Sequence, residues 1–267
     1  MIELVVGGAA GRMGKRIIAL ARDTADIRVA GALVRPRHAA LGHDAGEVAG
    51  AGQVGVPLSA DPAAVLTRGR VLVEFTAPEP TLEHVRLAAA QGAKAVVGTT
   101  GLGPAEFDEL RRLAGTTAVL VSPNMSVGVN LAFRVLALMA RALGDDYDVE
   151  ITEMHHRMKK DAPSGTAGTL AEILADVRKQ QLNKVIRHGR HGLTGERTAT
   201  EIGMHSLRGG DVVGDHTVIF AAEGERLELT HKASSRETFA NGALRAAQWV
   251  VQQKPGLYNM HDVLGLK

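Results

Sequence analysis

Cysteine is missing altogether from the 267 residues. Disulfides, thiolate nucleophiles and cysteine-ligated zinc or iron–sulfur sites are therefore excluded. Aromatic residues make up only 3% of the chain, too few to furnish a base-stacking platform. Neither sign of charge dominates. Lys plus Arg number 31 against 29 for Asp plus Glu, a formal charge of +2, so no concentrated basic face and no nucleic-acid partner is expected. Long hydrophobic runs are lacking too. The longest apolar-rich stretch, Val127–Leu143, contains Arg134 and Arg141 and reads as a mostly buried helix, not a membrane span. The opening residues "MIELVVGGAAGRMG" carry no basic region ahead of a short apolar run, unlike a signal peptide. These absences are compatible with the cytoplasm, and no membrane partner is expected.

What is present is an alternation. Strand patterns at Ile2–Gly8, Ile27–Val34, Arg70–Thr76, Lys94–Thr100 and Thr117–Ser122 interleave with helical patterns at Lys15–Asp23, Pro62–Arg68, Thr81–Gln91 and Pro104–Ala114. Short connections between such elements predict a parallel α/β sheet. Beyond Val127–Leu143 the pattern changes to a strand at Asp148–His155, a helix after Ser164, and a glycine-rich loop at Gly189–Gly195. A strand-rich stretch from Thr198 to Ala233 includes a hairpin turning near Glu223–Gly224, and Glu237–Gln252 is a final helix. Two domains are expected, with a break near Asn124–Gly128.

"VVGGAAGRMG" follows the first strand and opens the first helix, the context a dinucleotide site requires. Gly8, Gly11 and Gly14 give G-x-x-G-x-x-G in place of the usual G-x-G-x-x-G. Glycines let backbone approach a pyrophosphate, and N–H groups at a helix start donate to it; the competing reading is a plain strand–helix turn. The second strand ends "GALVRPRHAA". Val34 occupies the position of the acid that binds a ribose 2′-OH, and Arg35, Arg37 and His38 follow. Guanidinium groups bind a 2′-phosphate, so NADPH is predicted over NADH. A solvated basic loop is the alternative.

The densest chemistry lies in "EMHHRMKKDAPSGTA", Glu153 to Ala167. A metal site is disfavoured, because adjacent His155 and His156 diverge and no second ligand pair follows. A surface charge run is the bland reading. The third is acid/base chemistry beside an anion cradle. If a helical turn follows the strand, His155 and Lys159 share a face at i,i+4. Pro163 would end that run and Ser164 would cap a new helix. The N–H groups around Gly165 and Thr166 would then face a carboxylate. That suits a small acidic substrate receiving a hydride and a proton.

"GRMG", "GTTG", "SVGVN", "EMHHRMKKDAPSGTA", "GLTGER" and "HKASSRETFANGALRAA" together resemble the 4-hydroxy-tetrahydrodipicolinate reductase (dihydrodipicolinate reductase) family along the whole chain. The resemblance implies a cytoplasmic NAD(P)H-dependent oxidoreductase of the diaminopimelate route to lysine. It implies an α/β fold, with an N-terminal Rossmann-type parallel sheet and a C-terminal α+β domain with a mixed sheet. Residues 1–126, completed by 236–267, would bind the dinucleotide. Residues 127–235 would bind substrate and assemble a homotetramer. By the same resemblance Gly8, Ala9, Ala10, Gly11, Arg12 and Met13 hold the pyrophosphate. Gly98, Thr99 and Thr100, with Ser122, Pro123, Asn124 and Met125, line the nicotinamide side. His155 matches a proton donor, with Lys159 as rival. His156, Lys159, Ser164, Gly165 and Thr166 match contacts to a small dicarboxylate, and Arg236 is a further candidate. Many family members carry an acid where Val34 stands, which agrees with the NADPH reading. A different dehydrogenase, or a redox-sensing nucleotide binder, would not need the His-His-Lys block.

Overall fold

The computed structural model describes residues 1–266. They form two compact units, one of Met1–Val127 with the segment from Arg236 onward, the other of Gly128–Ser235.

The first unit alternates strand and helix. Its elements are β1 (Ile2–Gly7), α1 (Arg12–Arg22), β2 (Ile27–Leu33), α2 (Ala45–Ala49), β3 (Leu58–Ser59) and α3 (Pro62–Val65). Then come β4 (Val71–Glu74), α4 (Pro78–Gln91), β5 (Lys94–Val97), α5 (Pro104–Leu113) and β6 (Ala118–Val121). The strands are short, β-branched and buried on both faces, as a helix-covered parallel sheet demands. Alternate residues of β1 serve opposite layers. Leu4 and Val6 pack with Ile17 and Ile18 of α1, while Val5 packs with Val85 of α4 and Leu110 of α5.

The second unit contains α6 (Val127–Leu143), β7 (Asp148–His155), α7 (Gly165–Val177), α8 (Leu182–Val185), β8 (Ile186–His188), β9 (Ile202–Arg208), β10 (Gly214–Ala222) and β11 (Glu225–Ala233). Its five strands run in the order β11-β10-β7-β9-β8. β10 pairs antiparallel with both β11 and β7, whereas β7, β9 and β8 are parallel. One face of this mixed sheet, with Val149, Ile151, Met204 and Phe220, is buried under Phe133 and Leu136 of α6 and Leu170 and Leu174 of α7.

The chain then returns to the first unit through α9 (Glu237–Val250), β12 (Gly256–Tyr258) and α10 (Met260–Leu264). β12 adds in parallel beside β6, completing the order β12-β6-β5-β4-β1-β2-β3. Lys94, at the start of β5, donates through Nζ to the carbonyls of Val251 at 2.6 Å and Gln253 at 2.7 Å. It thereby satisfies orphan groups beyond the end of α9.

The architecture is the one expected, with differences at element ends. α4 begins at Pro78, not Thr81, because Pro78 sits in the first helical turn, where a missing N–H costs nothing. The first helix likewise begins at Arg12, not Lys15. The short α2, β3, α8, β8, β12 and α10 carry too few residues for a periodic signal. No helix among the described residues is long and apolar enough to cross a membrane.

Gly242 of α9 lies against the backbone of Met125, so close that a Cβ would collide with the Met125 carbonyl oxygen. Gly242→Ala is expected to lower stability by about 1–3 kcal/mol through overpacking. The measurement is urea unfolding, with a lower midpoint at unchanged m.

Candidate functional site

In the first unit the candidate cofactor residues gather at the C-terminal ends of adjacent strands. Strand order reverses at the neighbours β4 and β1, the place where open α/β sheets bind ligands. Gly8 has φ 70, and a Cβ there would lie 2.6 Å from the Phe75 carbonyl oxygen. Its carbonyl accepts from the N–H of Gly11 at 2.8 Å. Gly14 has no room for a Cβ, because the Gly8 carbonyl and Ala9 lie against it. α1 therefore begins directly on the turn. Its N-cap, Gly11, offers no side chain to its N–H groups, and Arg12 is its first residue. A bare helix start behind close-packed glycines fits a pyrophosphate.

Ala9, Ala10 and Met13 complete this turn. Gly98 and Thr99 are buried and Thr100 is exposed just past β5. Gly98 is required there, since a Cβ would strike the Phe75 ring. After β6, Ser122 donates through Oγ to the Asn124 carbonyl at 2.7 Å, and Asn124 Oδ1 accepts from the Ser126 N–H at 2.9 Å. These bonds set the path of Ser122, Pro123, Asn124 and Met125. Arg35 and Arg37 are exposed beyond β2, and Arg37 has φ 62.

In the second unit the chemistry collects where β7, β9 and β10 end. Register pairs His155 with Arg208 of β9 and Glu153 with His216 of β10. Glu153 and His155 are two apart on one strand, hence on the same face. The Glu153 carboxylate is wholly buried. It accepts from the two terminal Arg208 guanidinium nitrogens at 2.8 Å, and the Ser164 N–H reaches it at 3.2 Å. His155 Nδ1 lies 2.6 Å from it. Burial raises the Glu153 pKa, but the hydrogen bonds from Arg208, His155 and Ser206 outweigh it and leave the carboxyl at about 2. An ionised carboxylate only accepts, so His155 Nδ1 carries the hydrogen and Nε2 is the nitrogen left for proton exchange. A Cβ on Gly214 would lie 2.9 Å from that Nε2; glycine keeps it clear.

Ser164 caps α7, accepting from the Ala167 N–H at 3.2 Å. Its hydroxyl is 3.0 Å from His216 Nε2, and the His216 ring meets the His155 ring edge-on with centroids 5.2 Å apart. Burial, then the neighbouring His155, push His216 down to about 4, so at neutral pH it is uncharged and shares one hydrogen with the Ser164 hydroxyl. Gly165 opens the helix, exposed, with empty space where a Cβ would stand. Thr166 follows it.

Between strand and helix the chain makes no helical turn. His156 donates its N–H to the Val212 carbonyl at 2.7 Å, Lys159 donates its N–H to the His156 carbonyl at 3.0 Å, and the Ala162–Pro163 bond is cis. The i,i+4 face expected for His155 and Lys159 is thus replaced by a turn. Lys159 Nζ pairs with Asp161 at 2.7 Å, which lowers the Asp161 carboxyl. Arg236 stands at the N-cap of α9, in the first unit, apart from the other candidate substrate residues in the chain's division. Sequence reading missed Glu153, Arg208, Gly214 and His216 as working residues. The two-residue spacing of Glu153 and His155 on a strand was a usable signal; the others emerge only from register. Among the described residues no group of three or more His, Asp or Glu side chains is arranged to hold a metal ion.

Two family models match the chain, "Dihydrodipicolinate reductase, N-terminus" over residues 2–125 and "Dihydrodipicolinate reductase, C-terminus" over 128–264. A protein of Citrifermentans bemidjiense named 4-hydroxy-tetrahydrodipicolinate reductase is 50% identical over all of both chains. One of the same name from Geobacter sulfurreducens is 49% identical, again over all of both. Among solved structures, a dipicolinate-bound dihydrodipicolinate reductase from Paenisporosarcina aligns with TM-score 0.76 at 25% identity over 97% of each chain.

The Glu153 carboxyl generates a pH expectation. Its pKa falls from 4.5 to about 2 on folding. Its contribution to stability is therefore complete above the unfolded value and lost as pH falls from about 4.5 towards 2. Glu153→Gln is expected to be less stable than wild type at pH 7 and to lose less stability over that acid range. Urea unfolding at stepped pH, wild type against variant, measures the difference.

Proposed function

The chain belongs to the dihydrodipicolinate reductase family, and from that premise we propose its reaction. It is a pyridine-nucleotide-dependent oxidoreductase that takes 4-hydroxy-tetrahydrodipicolinate, which loses its 4-hydroxyl as water to give dihydrodipicolinate, and by adding a hydride and a proton forms tetrahydrodipicolinate, in the diaminopimelate route to lysine. One observation carries the mechanism: within the matched block, Glu153 fixes the tautomer of His155 while the same carboxylate holds the capped start of α7.

The glycine turn from Gly8 to Met13, Gly98–Thr100 and Ser122–Met125 would hold the cofactor, whose dihydronicotinamide supplies the hydride. His155 supplies the proton from Nε2, and Glu153 balances the charge of the doubly protonated ring. Lys159 offers an ammonium to a substrate carboxylate, and the N–H groups of Gly165 and Thr166 offer the positive end of α7 to another. His156 and Arg236 are the remaining candidate contacts. Fixed donors of this kind stabilise developing negative charge without reorganising.

Exposed Arg35, with Val34 in place of an acid, favours NADPH over NADH. The second sheet supports self-association. Its face opposite α6 and α7 carries Thr152 of β7 and exposed Leu207 of β9. It also carries Glu150, which is held by Arg190, Arg197 and His205. We assign to this face the assembly of a homotetramer in the cytoplasm.

The test is cofactor oxidation with substrate generated in place from pyruvate and aspartate semialdehyde. Substrate-dependent oxidation is expected, faster with NADPH; none from folded protein would overturn the reading. His155→Gln is expected to lower turnover roughly 10²–10⁴-fold, the range for a general acid. Unchanged turnover would transfer the donor role to Lys159. Arg35→Ala is expected to raise KM for NADPH while leaving KM for NADH nearly unchanged. Equal effects on both would remove the 2′-phosphate assignment.

A further inference from the structure

Glu74, the last residue of β4, is fully buried and has no part in the chemistry above. A carboxylate in that position needs partners. Its Oε2 lies 2.7 Å from His84 Nδ1 on α4, and its Oε1 accepts from Thr76 Oγ1 at 2.5 Å. The bonding continues through hydroxyls. Thr76 Oγ1 is 3.2 Å from Thr81 Oγ1, which is 2.7 Å from Thr99 Oγ1, and Thr99 Oγ1 accepts from the Thr76 N–H at 3.2 Å. On its other side the carboxyl presses on Gly7, where any Cβ would collide with it.

One carboxylate therefore touches the end of β1 just before the glycine turn. It also touches the loop after β4 and, through three threonines, the Gly98–Thr100 loop. These segments meet where strand order reverses. A negative charge beneath a phosphate-binding turn would oppose its ligand. His84, mostly buried beside Glu74, is shifted towards its cationic form: burial works against this, and the pairing with Glu74 outweighs it. Protonation of His84, which the pairing favours, offsets the charge of Glu74 beneath the turn.

We propose that Glu74, paired with His84, is a positioning residue for the dinucleotide. It holds the Gly7–Gly8 turn, Thr76 and Thr99 in the arrangement that receives the cofactor, without touching the cofactor itself. This rests on the reductase reading above. A purely structural network would lower stability without preference for one ligand, whereas a positioning network governs the cofactor selectively.

The experiment uses Glu74→Gln, His84→Asn and the double variant in the full-length protein, with folding checked by circular dichroism. The dissociation constant of NADPH is read from the fluorescence of the bound dihydronicotinamide, and KM is measured for cofactor and substrate separately. Each single variant is expected to weaken NADPH binding about tenfold, the scale of a lost charge-assisted hydrogen bond. The double variant is expected to be no weaker than the weaker single one, since the two residues act as a unit. KM for substrate is expected to move about twofold or less, which the same principle of independent sites allows. NADPH binding unchanged in a folded single variant overturns the proposal, as does an equal loss for cofactor and substrate. If Glu74→Gln does not fold, His84→Asn decides alone. Failure of wild type to bind either nicotinamide cofactor would instead overturn the reductase reading.

Discussion

The second unit depends on the burial of one ionised carboxylate, Glu153. Taking such a charge out of water costs several kcal/mol unless its oxygens are fully engaged. Here they are met by Arg208, His155 and the Ser164 N–H. Those partners come from β9, from β7 itself and from the cap of α7. The charge is tolerable only when all of these arrive together. The ring orientation of His155, the register at the strand ends and the starting point of α7 are therefore not independent variables. His216 closes the arrangement from β10 by hydrogen-bonding the same serine.

The first unit reaches a defined geometry by the opposite means. Its turn is shaped by side chains that are missing. Gly7 makes way for a carboxyl, Gly8 takes a left-handed φ, and Gly14 lets α1 rest on the turn. Gly98 gives the Phe75 ring its place. Backbone set this closely has little freedom to adapt, and close-packed matter transmits small displacements. One unit is preorganised by charge and the other by contact.

Much of this was legible in the sequence, for physical reasons that differ by element. Buried parallel strands such as Val71–Glu74 and long helices such as Val127–Leu143 announce themselves through periodicity. Ser164 was readable as a cap because a serine after a proline has few other uses at a helix start. Whether a helical turn runs from His156 to Pro163 was not legible, since spacing alone does not distinguish an i,i+4 face from a bend. Arg208 and His216 lay hidden because their relation to Glu153 is a matter of strand register, with sequence separations of 55 and 63 residues. Glu74 stands in an apolar strand, and only its pairing with His84 on the next helix reveals why it is tolerated.

The return of the chain to its first sheet has a consequence for synthesis on the ribosome. Lys94 and the Val250 carbonyl it can reach are 156 residues apart. At about 5–20 residues per second, the lysine waits roughly eight to thirty seconds for its acceptors. During that interval β6 is an unprotected sheet edge, because β12 has not yet been made. The inserted unit, whose strands all lie between Asp148 and Ala233, meanwhile has everything its own core requires. The polypeptide is thus translated outside-in: the half begun first is the half finished last, and a nascent chain stalled before α9 carries a completed insert on an incomplete host.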